Sequence, residues 1–169
     1  MGPSGPEARK LSSGLYTPDE RRRRDASVWT MVQAILAPVQ FLIFAVSLVL
    51  VIRYLAYGVG YEAATISILL KTLALYTIMV TGAIWEKVVF GQYLFAPAFF
   101  WEDAFSMIVI ALHTLYIYAL FAFWSAEAQM FIALAAYAAY VINAGQFLWK
   151  LRQARLQGET AGPQAEVPA

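Results

Sequence analysis

Four long apolar stretches determine what this chain can fold into. They cover about residues 28–54, 63–84, 97–124 and 128–149 of the 169-residue sequence. A helix needs about 20 mostly apolar residues to cross the hydrocarbon core of a bilayer, so each stretch is long enough for one crossing. Hydrophobic residues make up 61% of the sequence, too many for the core of one small soluble domain. We therefore predict an all-α, polytopic membrane protein with a bundle of four transmembrane helices.

Positive charge predicts the orientation of the bundle, because Lys and Arg concentrate on the cytoplasmic side of membrane proteins. An arginine run at residues 21–24 precedes the first stretch, Lys87 follows the second, and Lys150 follows the fourth. Only Arg53 lies near the opposite side. We predict that both termini are cytoplasmic.

The ends of the chain differ in composition from the apolar stretches. Residues 1–15 and 156–169 are rich in Gly, Pro, Ser, Ala and Glu, which predicts two disordered tails around a transmembrane domain of residues 16–155. Thr17 is followed by Pro18 and two acidic residues. This pattern predicts a short helix with Thr17 as its N-cap, leading into the first stretch.

The connection between the second and third stretches, residues 86–96, is rich in aromatic side chains, and more follow it. Two interpretations stay open: an aromatic belt at the membrane interface, or a re-entrant segment that covers a flat aromatic ligand. We expect Pro97 in the first turn of the third helix, where its missing N–H is not needed. The aromatic residues are Phe90, Tyr93, Phe95, Phe99, Phe100 and Trp101.

Rare residue types narrow the function. The chain has no cysteine, which excludes disulfide exchange, an iron–sulfur cluster and a thiolate metal site. Its single histidine, His113, excludes a haem held between two histidines of the same chain. The net charge of +1 gives no indication of a nucleic-acid partner, and the arginine run is better explained by contact with lipid headgroups.

Polar residues of the apolar stretches collect near the predicted cytoplasmic ends of the helices. Structural hydrogen bonds alone would not be expected to segregate in this way. Charge in or beside hydrocarbon is retained mainly where it binds, conducts or catalyses, so we expect the functional site at this end. All four stretches contribute, and the residues concerned are Gln33, Gln40, Thr81, Glu86, Glu102, Asp103, Ser106, Asn143 and Gln146.

The third stretch carries a polar stripe. At 100° per residue, Glu102, Ser106 and His113 lie within about 40° of one another, so the stripe should face the bundle interior. By helical rise, His113 is about 16 Å deeper than Glu102, and only a large planar ligand could meet both. His113 has three open interpretations: a hydrogen bond between helices, ligation of a tetrapyrrole metal, or proton relay.

Glu102 and Asp103 support the most specific chemical hypothesis. They are adjacent and follow three aromatic residues that suggest membrane depth, although an interfacial pair outside hydrocarbon is the alternative. In a poorly solvated site one carboxyl group can keep its proton while its neighbour stays ionised, which suits adding or removing water. Glu86 could join them or pair with Lys87. Lys71, mid-membrane, could snorkel, pair across helices or neutralise a ligand carboxylate.

Three segments of the chain resemble one known family. They are YTPDERRRRDASVWTMVQAILAPVQF, LYTIMVTGAIWEKVVFGQYLFAPAFFWEDAFSMIVIALHTLY and AAYAAYVINAGQFLWKLR. They closely resemble the 3-vinyl bacteriochlorophyllide hydratase family of bacteriochlorophyll biosynthesis. The resemblance covers about residues 16–155, and WEKVVFGQYLFAPAFFWED is its most distinctive part.

The resemblance implies a hydro-lyase that adds water to the 3-vinyl group of chlorophyllide a, or of a related vinyl chlorin, to give the 3-(1-hydroxyethyl) derivative. It implies no cofactor, because the only Mg belongs to the chlorin. The expected setting is a bacterial inner membrane, either cytoplasmic or intracytoplasmic and photosynthetic. Besides the chlorin and the lipid bilayer, a homodimer and contacts with neighbouring pathway enzymes are left open.

For this chemistry we expect Glu102 or Asp103 to protonate the terminal vinyl carbon. The other of the two, or Glu86, would deprotonate the attacking water. The remaining candidates would bind substrate or position water, and His113 would ligate the chlorin Mg or act as a second proton-transfer group. Lys71 or Lys87 would be the partner of the propionate. The full set of these candidates is His113, Lys71, Lys87, Ser106, Asn143, Gln146 and Trp101.

A non-enzymatic chlorin carrier or assembly factor is the alternative function. It would need His113 and the aromatic loop but not the carboxylates. A proton-coupled transporter subunit ranks last, because it would need carboxylates that are exposed to both sides in turn, whereas these cluster on one side.

Overall fold

Helices make up nearly all of the structure. The computed structural model describes residues 14–160, with side chains for residues 14–156. The predicted disordered tails lie mostly outside these residues; where they overlap, Leu15 packs on a small apolar cluster and the last helix continues to Thr160. The helices are α1 Pro18–Ala26, α2 Val28–Tyr57, α3 Tyr61–Phe90, α4 Phe100–Phe121 and α5 Ala126–Thr160.

Helices α2 to α5 are each long and apolar enough to cross a membrane. Large apolar side chains such as Leu42, Val80 and Phe121 cover their outer faces, as lipid contact requires. The predicted all-α architecture with four membrane-spanning helices is confirmed. The structure contains no bilayer, so the cytoplasmic position of the termini stays a prediction.

The short helix α1 has the predicted start. The Thr17 backbone N–H donates to Glu20 Oε2 over 2.8 Å, and the Glu20 N–H donates to Thr17 Oγ1 over 3.3 Å. This reciprocal capping box satisfies two N–H donors that a helix start otherwise leaves unpaired. Pro18 has no backbone N–H and therefore needs no acceptor. The prediction of an N-capped helix at Thr17 is confirmed.

The membrane helices form two hairpins. Residues 58–60 join α2 to α3 (the first hairpin), and residues 122–125 join α4 to α5 (the second hairpin). Gly58 and Gly60 have φ of 68° and 87°, a region that glycine enters without steric cost. Within each hairpin the helices pack closely along their length, and the two hairpins contact each other less. Each hairpin is therefore the tighter unit.

The two ends of the bundle differ. At one end, here the turn end, lie residues 58–60 and 122–125; at the other, the loop end, residues 91–99 link the hairpins. A buried aromatic and aliphatic core fills the middle. A second cluster at the loop end joins the segment before α1 to α3, α5 and the loop through residues such as Tyr16, Phe99 and Phe147. Both described ends of the chain therefore lie at the loop end.

The loop is shorter than predicted. Helix α3 continues to Phe90, and α4 begins at Phe100, so the prediction of Pro97 in the first turn of a helix is wrong. The Phe99 N–H donates to the Ala96 carbonyl over 2.7 Å. Pro97 is therefore the second residue of a tight turn, where its fixed φ is equally suitable.

Candidate functional site

Three carboxyl side chains are buried at the loop end of the bundle. Glu86, near the end of α3, is 5% exposed, and Glu102 and Asp103, in the first turn of α4, are 6% and 4% exposed. Glu86 and Asp103 come from different hairpins and share a side-chain hydrogen bond. Ionised carboxylates only accept hydrogen bonds, so this contact is favourable when one of the two side chains carries a proton. We call these two residues the carboxyl pair.

The loop holds the carboxyl pair in place. The Phe95 N–H donates to Asp103 Oδ2 over 2.7 Å, and the next N–H, of Ala96, donates to Glu86 Oε2 over 3.2 Å. Phe95 has a φ of 58°, which is uncommon for a residue with a side chain. Such backbone persists where its surroundings over-determine it, often at functional sites. The loop thus aims successive backbone donors at the two carboxyl groups.

Glu102 has a different partner. Its Oε2 lies 2.7 Å from Lys150 Nζ on α5, and Lys150 also donates to the Ala98 carbonyl of the loop. Its position in the sequence predicts for Lys150 only a role in orienting the bundle. A signal for its role was present, because Lys150 follows Asn143 and Gln146 at a spacing that places all three on one helical face.

The ion pair gives a testable prediction of stability. Replacing Lys150 with Met should lower the free energy of unfolding by about 1–3 kcal/mol, because it leaves the buried Glu102 carboxylate without its partner. Thermal unfolding in detergent measures the loss. The double variant Lys150→Met/Glu102→Gln should recover part of it, since no buried charge then remains there. Unchanged stability of Lys150→Met would show that the ion pair between Lys150 and Glu102 contributes nothing to the free energy of unfolding.

Polar groups continue inward from the carboxyl pair along the second hairpin. Asn143 Nδ2 donates to Ser106 Oγ over 2.8 Å, so two predicted site residues lie together. Asn143 Oδ1 and Gln146 Oε1 are buried, and neither has a hydrogen-bond partner among residues 14–156. Buried acceptors of this kind cost free energy unless a ligand or water pairs with them.

His113 lies deeper, in the centre of the bundle, and is fully buried. Its Nδ1 is 2.8 Å from the Val109 carbonyl oxygen, so we assign the ring proton to Nδ1, which donates to that oxygen. Nε2 then carries a free lone pair, and the described residues offer it no partner. A neutral imidazole in this state can ligate a metal or accept a proton.

Lys71 of α3 is also fully buried. Its Nζ lies 3.5 Å from the centre of the Tyr140 ring and has no hydrogen-bond partner in the described part of the chain. Gln40 Oε1 of α2 is likewise buried and unpaired there. Gln40 is one of the polar residues that the sequence places at the predicted cytoplasmic end of the bundle, but it was not among the predicted catalytic or binding residues.

Two predicted site residues lie away from these groups. Trp101 is 69% exposed on the outer face. Lys87 is exposed as well, and its Nζ donates to the Gly91 carbonyl over 2.8 Å. The described residues contain no ion pair between Glu86 and Lys87. They also contain no group of three or more His, Cys, Asp or Glu side chains placed to hold a metal ion.

Comparison with known proteins identifies the family. A model of the family described as 2-vinyl bacteriochlorophyllide hydratase matches residues 16–153. This chain belongs to that family. The hydratase family predicted from the resemblance is confirmed, with the vinyl position numbered 2 in this description and 3 in our prediction. Every candidate site residue lies within the matched segment.

Two curated relatives carry the same hydratase name. The 2-vinyl bacteriochlorophyllide hydratase of Rhodobacter capsulatus is 77% identical over 150 residues, which cover 88% of each chain. That of Cereibacter sphaeroides is 69% identical over 161 residues, which cover 95% of this chain and 99% of the relative. No solved structure matches the chain.

Proposed function

We propose that this protein is a hydro-lyase that adds water to the vinyl group of chlorophyllide a, or of a related vinyl bacteriochlorophyllide. The product is the 1-hydroxyethyl derivative on the route to bacteriochlorophyll. Membership of the hydratase family and two relatives of that name support this activity. The observation that carries the chemistry is the buried contact between the carboxyl side chains of Glu86 and Asp103, and we propose that the two share a proton.

In the proposed reaction the protonated member of the carboxyl pair acts as general acid. It donates its proton to the terminal vinyl carbon, and the conjugated macrocycle delocalises the positive charge that develops on the adjacent carbon. The ionised member then takes a proton from the attacking water, whose oxygen bonds to that carbon. One proton leaves the pair and one returns, so the pair is restored. The addition changes no net oxidation state, and we propose that it uses no cofactor.

The residues around the pair have supporting roles in this proposal. Asn143 Oδ1 and Gln146 Oε1, both unpaired among the described residues, accept hydrogen bonds from the attacking water. Glu102 is engaged by Lys150, which also holds the loop through Ala98. We therefore assign Glu102 the task of positioning the loop, and give the proton transfers to Glu86 and Asp103.

His113 is proposed as the axial ligand of the chlorin Mg. The macrocycle carries Mg at its centre and the vinyl group on its rim. In this proposal the vinyl group reaches the carboxyl pair while the rest of the macrocycle extends toward the bundle interior, so that Mg lies on the side of His113. The free Nε2 lone pair, with Nδ1 bonded to Val109, supports this assignment.

The proposal extends to the setting of the enzyme. We place it in the inner or intracytoplasmic membrane of a bacterium that makes bacteriochlorophyll. The loop end would face the cytoplasm, because the arginines of α1 and the basic residues of α5 collect there. A homodimer and direct contact with neighbouring pathway enzymes remain predictions of this setting.

Isotope labelling tests the activity directly. Purified protein in detergent, incubated with chlorophyllide a in ¹⁸O-labelled water without added cofactor, should yield a pigment heavier by one labelled water in the mass spectrum. Heat-inactivated protein and unlabelled water are the controls. Bound but unchanged pigment would contradict hydration and favour a chlorin carrier.

A further inference from the structure

Lys71 is a buried lysine that has no acidic partner among the described residues. Its side chain is fully buried in a membrane-spanning helix, and its Nζ has no hydrogen-bond partner in residues 14–156. The Tyr140 ring, 3.5 Å from Nζ to its centre, offers a cation–π contact. This contact replaces only part of the hydration that an ammonium group loses on burial. The position therefore suits a negatively charged ligand group.

The described protein residues do not supply that group. The buried carboxyl side chains among them are Glu86, Glu102 and Asp103, and all three are engaged at the loop end. Lys87 and Lys150 also lie near that end, bonded to Gly91 and to Glu102 respectively. Lys71 alone places an ammonium group in the middle of the described bundle.

The depth of Lys71 relative to the carboxyl pair indicates the kind of ligand. Tyr140, next to Lys71 Nζ, lies three residues from Asn143, which is bonded to Ser106. Ser106 in turn lies three residues from Asp103. Two steps of three residues separate the backbones of Tyr140 and Asp103 by about 9 Å along the bundle axis, and the step from Lys71 to Glu86 on α3 separates those two backbones by about 22 Å. A ligand that spans both sites has its reactive group near the carboxyl pair and its carboxylate near Lys71, with a rigid framework between the two.

We propose that Lys71 binds the free propionate of the chlorin and makes the enzyme specific for pigments whose propionate is not esterified. This inference rests on the proposed hydratase function. An ester carries no charge to pair with the ammonium group. Its alcohol would also need space among the buried side chains around Lys71, including Tyr140 and Phe44, whose rings lie 4.9 Å apart.

The test compares two substrates that differ only at the propionate: chlorophyllide a and its propionate methyl ester. Wild-type protein should have a kcat/KM roughly 10- to 100-fold higher for the free acid, as expected for a charge-assisted hydrogen bond. Lys71→Met should lose this preference because its rate with the free acid falls, while its rate with the ester is retained. Lys71→Arg should keep part of the preference. The retained ester rate shows that the variant is folded.

Three results would overturn the inference: equal use of both substrates by the wild type, an unchanged preference in Lys71→Met, or loss of the preference in Lys87→Met instead. If Lys71→Met hydrates neither substrate, the affinity for each pigment is measured instead of the rate, with absorbance as the signal of binding. Equal Kd values for acid and ester are then expected, and a retained preference for the acid contradicts the role of Lys71. Failure of the wild type to hydrate either substrate would instead reject the hydratase function itself.

Discussion

Replacement of Asp103 with Asn is expected to lower kcat by about 10²- to 10⁴-fold, the usual contribution of a general acid or base, while pigment binding is retained. Asn has nearly the shape of Asp, and its oxygen can still accept the Phe95 N–H that now bonds Asp103 over 2.7 Å. It cannot exchange a proton with Glu86. Product formation in single-turnover experiments measures the loss, and pigment absorbance measures binding.

The other carboxyl residues provide the controls for this prediction. Glu86→Gln should have a loss similar to that of Asp103→Asn, and the double variant should be little worse than either, because the two residues act as a unit. Glu102→Gln should change kcat much less. A severe loss in Glu102→Gln with full activity in Asp103→Asn would assign the proton transfer to Glu102 and reject the pair.

Covalent joining of the two hairpins is expected to abolish turnover. Glu86 belongs to the first hairpin and Asp103 to the second, and both are nearly inaccessible. A macrocycle can reach the groups between the hairpins only if the two hairpins move apart. Tyr76 OH of α3 lies 2.7 Å from Thr114 Oγ1 of α4, which marks a place where the hairpins meet. The chain has no cysteine, so Tyr76→Cys/Thr114→Cys would contain only the two introduced thiols.

A short, cleavable reagent that links two thiols makes the experiment reversible. Turnover should fall to background after linking and return after the linker is cleaved. The single variant Thr114→Cys, treated with the same reagent, controls for modification of one thiol. Full turnover in the linked protein would show that the pigment reaches the carboxyl pair without separation of the hairpins.

Local sequence signals predicted much of the fold. The lengths of the apolar stretches fixed the number of membrane helices, and residues 17–20 contained the complete capping box of α1. The enrichment of polar residues at one end located the candidate site, because depth in a bundle follows directly from position along each helix. These predictions needed no knowledge of how the helices pack.

The partners within the site could not be predicted in the same way. Glu102 and Asp103 are adjacent in sequence, but successive residues point about 100° apart around a helix, so Asp103 meets Glu86 while Glu102 meets Lys150. Those pairings depend on the packing of α3 and α5 against α4. Trp101 was placed in the site because of its neighbours in sequence, yet it occupies the outer face of the helix.

The arrangement in two hairpins has a consequence for biogenesis. Each hairpin satisfies its backbone hydrogen bonds within its own helices, so each can enter the bilayer as a separate unit. The carboxyl pair takes one residue from each unit, and its backbone donors come from the segment that links them. On the proposed mechanism, a newly made chain can therefore be fully inserted and still inert, and it becomes active only when the second hairpin docks on the first.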